Sequence, residues 1–185
     1  MPPMNDPLEI LHEGRRLRFV RRGRWEFVQR ADAGGAVIIV ARTPDDELLF
    51  VEQHRIPVQS NVIEFPAGLA GDIAGKEGEP LVEAARRELL EETGYSAGRI
   101  DEVYCGPSTS GLTDELGTFF LADDLTRVGA GGGDESESIT VHRVKLAHVD
   151  AWLADQSACG RLIASRVYTG LYLLQRERRT SRDYS

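Results

Sequence analysis

The segment EPLVEAARRELLEETGY, Glu79 to Tyr95, decides how this chain folds and what chemistry it can carry. Pro80 stands at its start and Gly94 just past Thr93. Proline suits a first helical turn, whose N–H groups lack partners, and glycine suits a left-handed exit. The spacing predicts a helix from Pro80 to Thr93. At ~100° per residue, Val82, Ala85 and Leu89 share the arc that packs on a sheet, and Glu88, Glu91 and Glu92 share the arc beside it. Like charges at such spacings cost an isolated helix roughly 0.2–0.5 kcal/mol per pair. A hard divalent cation removes that cost, because Mg²⁺ is held by a few carboxylates together with waters and substrate phosphates. On the helix alone, a solvated acidic face with i to i+4 partners such as Arg87 and Glu91 is the alternative.

Upstream lie two apolar segments, GGAVIIVAR (Gly34 to Arg42) and ELLFVEQHR (Glu47 to Arg55), flanking a Thr43 to Asp46 turn. The unbroken apolar run of the first is that of a strand buried on both faces, so these segments are expected to form the central sheet. A glycine-rich loop from Pro66 to Gly78 joins them to the helix. Downstream, strands are expected at Glu102 to Cys105, Gly117 to Leu121 and Ile139 to Lys145, and helices at His148 to Ala154 and Leu162 to Arg176. Between two of those strands VGAGGGDESES (Val128 to Ser138) reads as a flexible acidic loop.

The first 33 residues differ in character. They hold seven arginines against five acids, a surplus of two positive charges in a chain of net charge −8, so the remainder carries ten excess negatives. Their short runs LEILHEG, RLRFVRR and WEFVQR, broken at Gly14 and Gly23, predict a small antiparallel sheet. The arginines are those of a solvated strand face or of a partner-facing or phosphate-facing edge. Residues 1–33 and 34–185 are therefore expected to be two units. The 185 residues, 41% hydrophobic, suffice for a real core and exclude disordered and fibrous classes. The longest apolar run, Ala36 to Ala41, is far short of the ~20 residues a membrane helix needs, and the N-terminus shows no leader pattern. Two cysteines, Cys105 and Cys159, make no disulfide framework, and a reducing cytoplasm is expected. Net negative charge disfavours nucleic acid as a partner.

Read together, Glu79, Arg87, Glu88, Leu89, Glu91, Glu92, Gly94 and Tyr95 match the signature of the Nudix hydrolases, which the segment resembles. That pattern is Gly, five residues, Glu, seven residues, Arg-Glu, a hydrophobic, any residue, Glu-Glu, any residue, Gly and a hydrophobic. Its first glycine falls on Ile73 here. The nearest counterpart is Gly68, so the preceding loop is longer by about five residues. EFPAG (Glu64 to Gly68) is similar to the segment that precedes this box in Nudix enzymes acting on ADP-ribose and other nucleoside diphosphate sugars.

The resemblance implies an α/β fold, a mixed sheet between helices, preceded by the small N-terminal sheet as a homodimer contact. It implies two or three Mg²⁺ ions, or Mn²⁺, held by Glu88 and Glu92, by Glu91 as ligand or water-holder, and by the carbonyl of Ala67, with Arg87 bracing the loop through Glu79. It implies hydrolysis of a diphosphate linkage by water, the cations neutralising the phosphate oxygens. A general base is also needed. In the sugar-nucleotide subgroup it comes from a loop before a late strand, which DESESITVHRV resembles. Glu135 is the first candidate, Glu137 the second and Glu91 the third. Arg55 resembles an arginine that reaches the phosphates, and Trp25 an aromatic that stacks on the base. The loop GPSTSGLTDE (Gly106 to Glu115) is a further contact segment by the same likeness. Two other readings are a hydrolase of nucleoside triphosphates or dinucleoside polyphosphates, and a Nudix module that binds a nucleotide without cleaving it.

Overall fold

The computed structural model describes residues 6–31, 34–71, 73, 75, 78–133 and 138–183, the last three without side-chain detail. The N-terminal strands β1 (Leu8–Glu13), β2 (Leu17–Arg22) and β3 (Trp25–Arg30) form a separate antiparallel sheet. Arginines of this sheet pair in two ways. Arg18 pairs with Glu13 at 2.6 Å and Arg21 with Glu9 at 2.8 Å across neighbouring strands, both exposed. Such pairs contribute ~0–1 kcal/mol each. Arg30 instead turns toward the rest of the molecule and pairs with Glu115.

The remaining strands form two four-stranded sheets. One contains β4 (Gly35–Ala41), β7 (Ala67–Ala70), β8 (Tyr95–Pro107) and β9 (Leu116–Arg127), in the order β7-β4-β9-β8. The other contains β5 (Glu47–Arg55), β6 (Ser60–Glu64), β10 (Ile139–Lys145) and β11 (Leu162–Ile163), in the order β10-β5-β6-β11. Both are mixed: β4 runs parallel to β9, and β11 parallel to β6. The expectation that the segments flanking Thr43 to Asp46 share one sheet is corrected. β4 and β5 belong to different sheets, and the Arg42–Leu48 bridge lies beside the turn between them.

β4 is buried on both faces, as its apolar run predicts. Val37 and Ile39 join Ala84, Ala85 and Leu89 of helix α1 (Leu81–Thr93) in one core cluster. Ile38 and Val40 join Phe50, Phe65, Val149, Leu153 and Val167 in a second, under α2 (Val149–Ala158) and α3 (Ser165–Asp183). Helices therefore cover the sheets from both sides. Trp152 packs against Phe50 with ring centroids 5.1 Å apart. The last helix starts later than its sequence suggests, because Leu162 and Ile163 pair with Val62 and Ile63 before Ser165 begins it. No described helix is long and apolar enough to cross a membrane.

Helix α1 carries no side-chain cap; the Pro80 carbonyl accepts the N–H groups of Glu83 and Ala84. It ends at Gly94, whose φ of 75° is the left-handed conformation the sequence requires there. Space is the stronger restriction. A Cβ on Gly94 would fall 2.4 Å from the Gly129 carbonyl oxygen and 2.8 Å from the Gly131 nitrogen, both backbone atoms. Gly94→Ala is therefore expected to destabilise the protein by more than the ~1 kcal/mol of a positive-φ penalty alone. Urea denaturation of the variant beside Leu90→Ala, a half-exposed control in the same turn, checks this.

Candidate active site

One residue organises the acidic face of α1. Arg87 donates from Nε and Nη2 to the two carboxylate oxygens of Glu79, at 3.2 and 3.0 Å, and from Nη2 to the Leu69 carbonyl at 2.9 Å. Its Nη1 reaches Glu88 at 2.7 Å and Glu91 at 3.2 Å. The Glu79 hydrogen bonds, with Glu88 and Glu91 adding to them against the opposing effect of burial, hold the guanidinium above its ordinary range. Arg87 thus braces the loop through Glu79, and it also bonds two of the carboxylates expected to bind metal. The third, Glu92, is buried and accepts the Ala67 N–H at 3.0 Å.

The extended loop leaves the position of Gly68 intact. A Cβ there would lie 2.0 Å from Cδ of Glu88, so only glycine lets the β7 backbone come this close to the carboxylate. Gly68, the nearest counterpart of the pattern's first glycine, lies directly against Glu88. Behind the helix, Gly132 and Gly133 donate their N–H groups to the carbonyls of Glu92 and Glu91, at 2.8 and 3.1 Å. The segment that leads toward residues 134–137 is therefore fastened to the residues that carry the carboxylates. Glu135 and Glu137 themselves lie outside the described residues.

These groups border a cavity of about 640 Å³. Glu88, Glu91, Glu92, Ala67 and Gly68 line it, and so do Arg30, Arg55 and Arg166. Arg55 lines this cavity, and its Nε donates to Glu64 at 2.6 Å. Trp25, 57% exposed on β3, is not among the lining residues of the single chain. Sequence reading marked the segments that hold Arg30, Glu64 and Glu115 without giving those side chains a role, and it passed over Arg166. Glu64 had a visible signal, an acid closing the apolar run Val62-Ile63 and preceding Phe65. Arg166 had none, being one arginine in a charged helix. The loop Gly106 to Glu115 does approach the cavity: Leu112 accepts the Val28 N–H at 2.8 Å, Asp114 accepts from Gln29 at 2.7 Å, and Glu115 holds Arg30. A separate cleft of about 490 Å³ at the far end of the sheets is lined by charges that neutralise one another, Arg42 and Arg99 both pairing with Asp123.

The donor set suits a hard cation, since three carboxylates with a glycine-widened approach converge on one wall. Among the described residues they are not already gathered as a ligand cluster. Arg87 and the Ala67 amide hold them in its stead, so a cation entering here competes with hydrogen bonds already made.

The NUDIX domain family matches residues 32–158. The chain belongs to the Nudix family. It is 34% identical over 113 residues to an ADP-ribose pyrophosphatase of Bacillus subtilis (strain 168), covering 60% of this chain and 58% of the relative. It is 32% identical over 113 residues to a methanol dehydrogenase activator of Bacillus methanolicus, with the same coverage. To a GDP-mannose pyrophosphatase of Pectobacterium atrosepticum it is 31% identical over 139 residues, 70% of this chain and 67% of that one. The match thus spans 58% of the length of the first two relatives. The fold is shared with a crystal structure titled ADP compounds hydrolase, at a TM-score of 0.74 and 23% identity over 95% of this chain and 93% of the other.

Gly68→Ala tests the close approach of β7 to the acidic face. The displaced group is the end of a side chain, so the variant is expected to fold with a melting temperature within a few degrees of the parent. If a divalent cation binds the folded carboxylate face, millimolar Mg²⁺ is expected to raise the melting temperature of the parent, and that rise should shrink or vanish in the variant. Differential scanning fluorimetry with and without Mg²⁺ reads both quantities.

Proposed function

We propose that this Nudix protein hydrolyses the diphosphate linkage of ADP-ribose or a related nucleoside diphosphate sugar, giving a nucleoside monophosphate and a sugar phosphate. The observation that carries this reading is the single cavity in which the carboxylates of α1 face the guanidinium groups of Arg30, Arg55 and Arg166. A diphosphate needs positive charge along its oxygens and a divalent cation where the bond breaks, and this cavity has arginines for the first and carboxylates for the second. The names of the relatives supply the substrate class.

Glu88 and Glu92, with Glu91 and the Ala67 carbonyl, would hold Mg²⁺ or Mn²⁺. When bound, the ions would neutralise phosphate oxygens and make the attacking water more acidic. Arg87 keeps the acidic face assembled before the ions arrive and fixes the loop after β7 through Glu79. Arg55 binds a phosphate. Glu135 takes the proton from water, with Glu137 and then Glu91 as the next candidates. GDP-mannose is the second substrate to test, favoured by the longer match to the GDP-mannose pyrophosphatase. The N-terminal strands join two chains as a homodimer, in which Trp25 would meet the partner's substrate. The reaction belongs in a reducing cytoplasm, where the exposed Cys105 and Cys159 stay as thiols.

The deciding experiment measures nucleoside monophosphate release (AMP, GMP or UMP according to the substrate) from ADP-ribose, GDP-mannose, UDP-glucose, NADH and dinucleoside polyphosphates, with Mg²⁺ and with EDTA. Turnover confined to nucleoside diphosphate sugars and abolished by EDTA is expected; no metal-dependent turnover on any of them would refute the reading. Glu92→Gln should lower kcat by orders of magnitude with the fold intact, and a variant near the parental rate would remove Glu92 from the metal site.

Two further variants separate the base from the metal face. A general base contributes ~10²–10⁴-fold and acts only toward the transition state. Glu135→Gln, or Glu137→Gln if the register is shifted by two, should therefore depress kcat with little change in KM or in the Mg²⁺-induced stabilisation. Parental kcat in both would move the role to Glu91.

A further inference from the structure

Glu64 is a carboxylate with only 4% of its side chain exposed, closing β6, and two arginines from different elements converge on it. Arg55, the last residue of β5, donates from Nε to Oε2; Arg166, in the first turn of α3, donates from Nη2 to Oε1. A buried carboxylate needs one cation, and a second leaves a surplus positive charge beside the cavity. Among the described residues Glu64 is the side-chain partner of both arginines, and each guanidinium has five N–H donors. Both therefore keep donors for an anion while their orientation is fixed. Placement adds the rest. Arg166 lines the 640 Å³ cavity with the acidic face and also an adjoining cavity of about 390 Å³, which contains Tyr104, Ser108, Thr109 and Thr169.

We propose that Arg166 is a phosphate-binding and specificity-determining residue, and that Glu64 is the positioning residue that sets Arg55 and Arg166 as a two-arginine clamp on the diphosphate. The proposal rests on the reading of the cavity as a diphosphate site. The clamp holds the diphosphate across the doorway between the two cavities, with the linkage on the acidic side and one end group in the smaller space. Nucleoside monophosphates then bind poorly, because a single phosphate cannot engage both guanidiniums and the acidic face together. Lysine at position 166 would keep the charge but lose the fork that lets arginine bind Glu64 and a phosphate at once.

Isothermal titration with α,β-methylene ADP in Mg²⁺ gives a readout independent of turnover. Arg166→Ala should weaken this analogue about tenfold or more, the scale of a charge-assisted hydrogen bond, and Arg166→Lys by less. In turnover, KM should rise by a similar factor while kcat stays within about threefold, as for a contact made equally in ground and transition states. Glu64→Gln should weaken the analogue in the parent but add little once both Arg55 and Arg166 are replaced by alanine, because it acts through the two arginines; Glu64→Asp should restore part of the loss. A parental dissociation constant in Arg166→Ala, or a parent that does not bind the analogue, overturns the clamp. So does a fully additive Glu64→Gln effect that follows only a fall in melting temperature. A parent that cleaves no diphosphate yet loses the analogue on Arg166→Ala would refute the reaction and keep the clamp.

Discussion

Arg87 solves a problem that the rest of the site depends on. A helix carrying glutamates on one arc, with little water around two of them, repels itself, and the nearest cation must come from the chain. Arg87 spreads one guanidinium over Glu79, Glu88, Glu91 and the Leu69 carbonyl. In doing so it joins three pieces of structure, the helix, the loop before it and the β7 strand. The acidic wall is assembled in advance without being neutralised irreversibly, since Glu91 remains about half exposed and its contact with Arg87 is the longest of those made by Nη1. A cation can therefore replace hydrogen bonds rather than rebuild a wall.

The same principle recurs on the facing side with the signs reversed. There a single buried carboxylate, Glu64, orders two guanidiniums, and Glu115 orders a third, Arg30. The acidic wall is pre-set by one guanidinium and the basic side by two carboxylates. Buried ion pairs of this kind are weak contributors to stability after desolvation, but they fix direction, and direction is what a diphosphate with charge along its whole length requires. Glu52 shows the contrast. Burial would raise its carboxyl, but hydrogen bonds from Arg161, Asn61 and His142 outweigh it and hold the group below its usual range. With Trp152 beside His142, that cluster ties the second sheet to α2 on the face away from the acidic wall.

What was legible in the sequence was whatever a local period or a local steric demand writes down. The register of α1, its buried arc and its acidic arc follow from 3.6-residue spacing, and Gly94 from its left-handed turn. β4 announces burial on both faces by having no polar position. β8 is harder to read: Gly98, Arg99, Asp101 and Glu102 face solvent, and a register shift between Glu102 and Tyr104 interrupts the alternation that marks a strand. The division into two sheets leaves no local trace, because β4 and β5 are joined by a turn that would equally close a hairpin. Arg30 with Glu115 and Glu64 with Arg166 are meetings of residues far apart in the chain, made by the fold alone. Only the acid at the end of an apolar run hinted at one of them.

The hairpin from Tyr95 to Arg127 leaves the end of α1 and returns to it. Val128 and Gly129 donate to the Gly94 carbonyl at 2.9 and 3.0 Å, and Gly132 and Gly133 reach the carbonyls of Glu92 and Glu91. The excursion is thus a closed loop pinned at its root, with its far tip, residues 108–115, beside the cavities. A longer or altered tip would reshape the cavity mouth at Ser108, Thr109 and Glu115, while the hydrogen bonds that pin its root to the end of α1 stay as they are. On the proposed function, one contributor to end-group fit would thus sit on a different stretch of the chain from the carboxylates that face the bond.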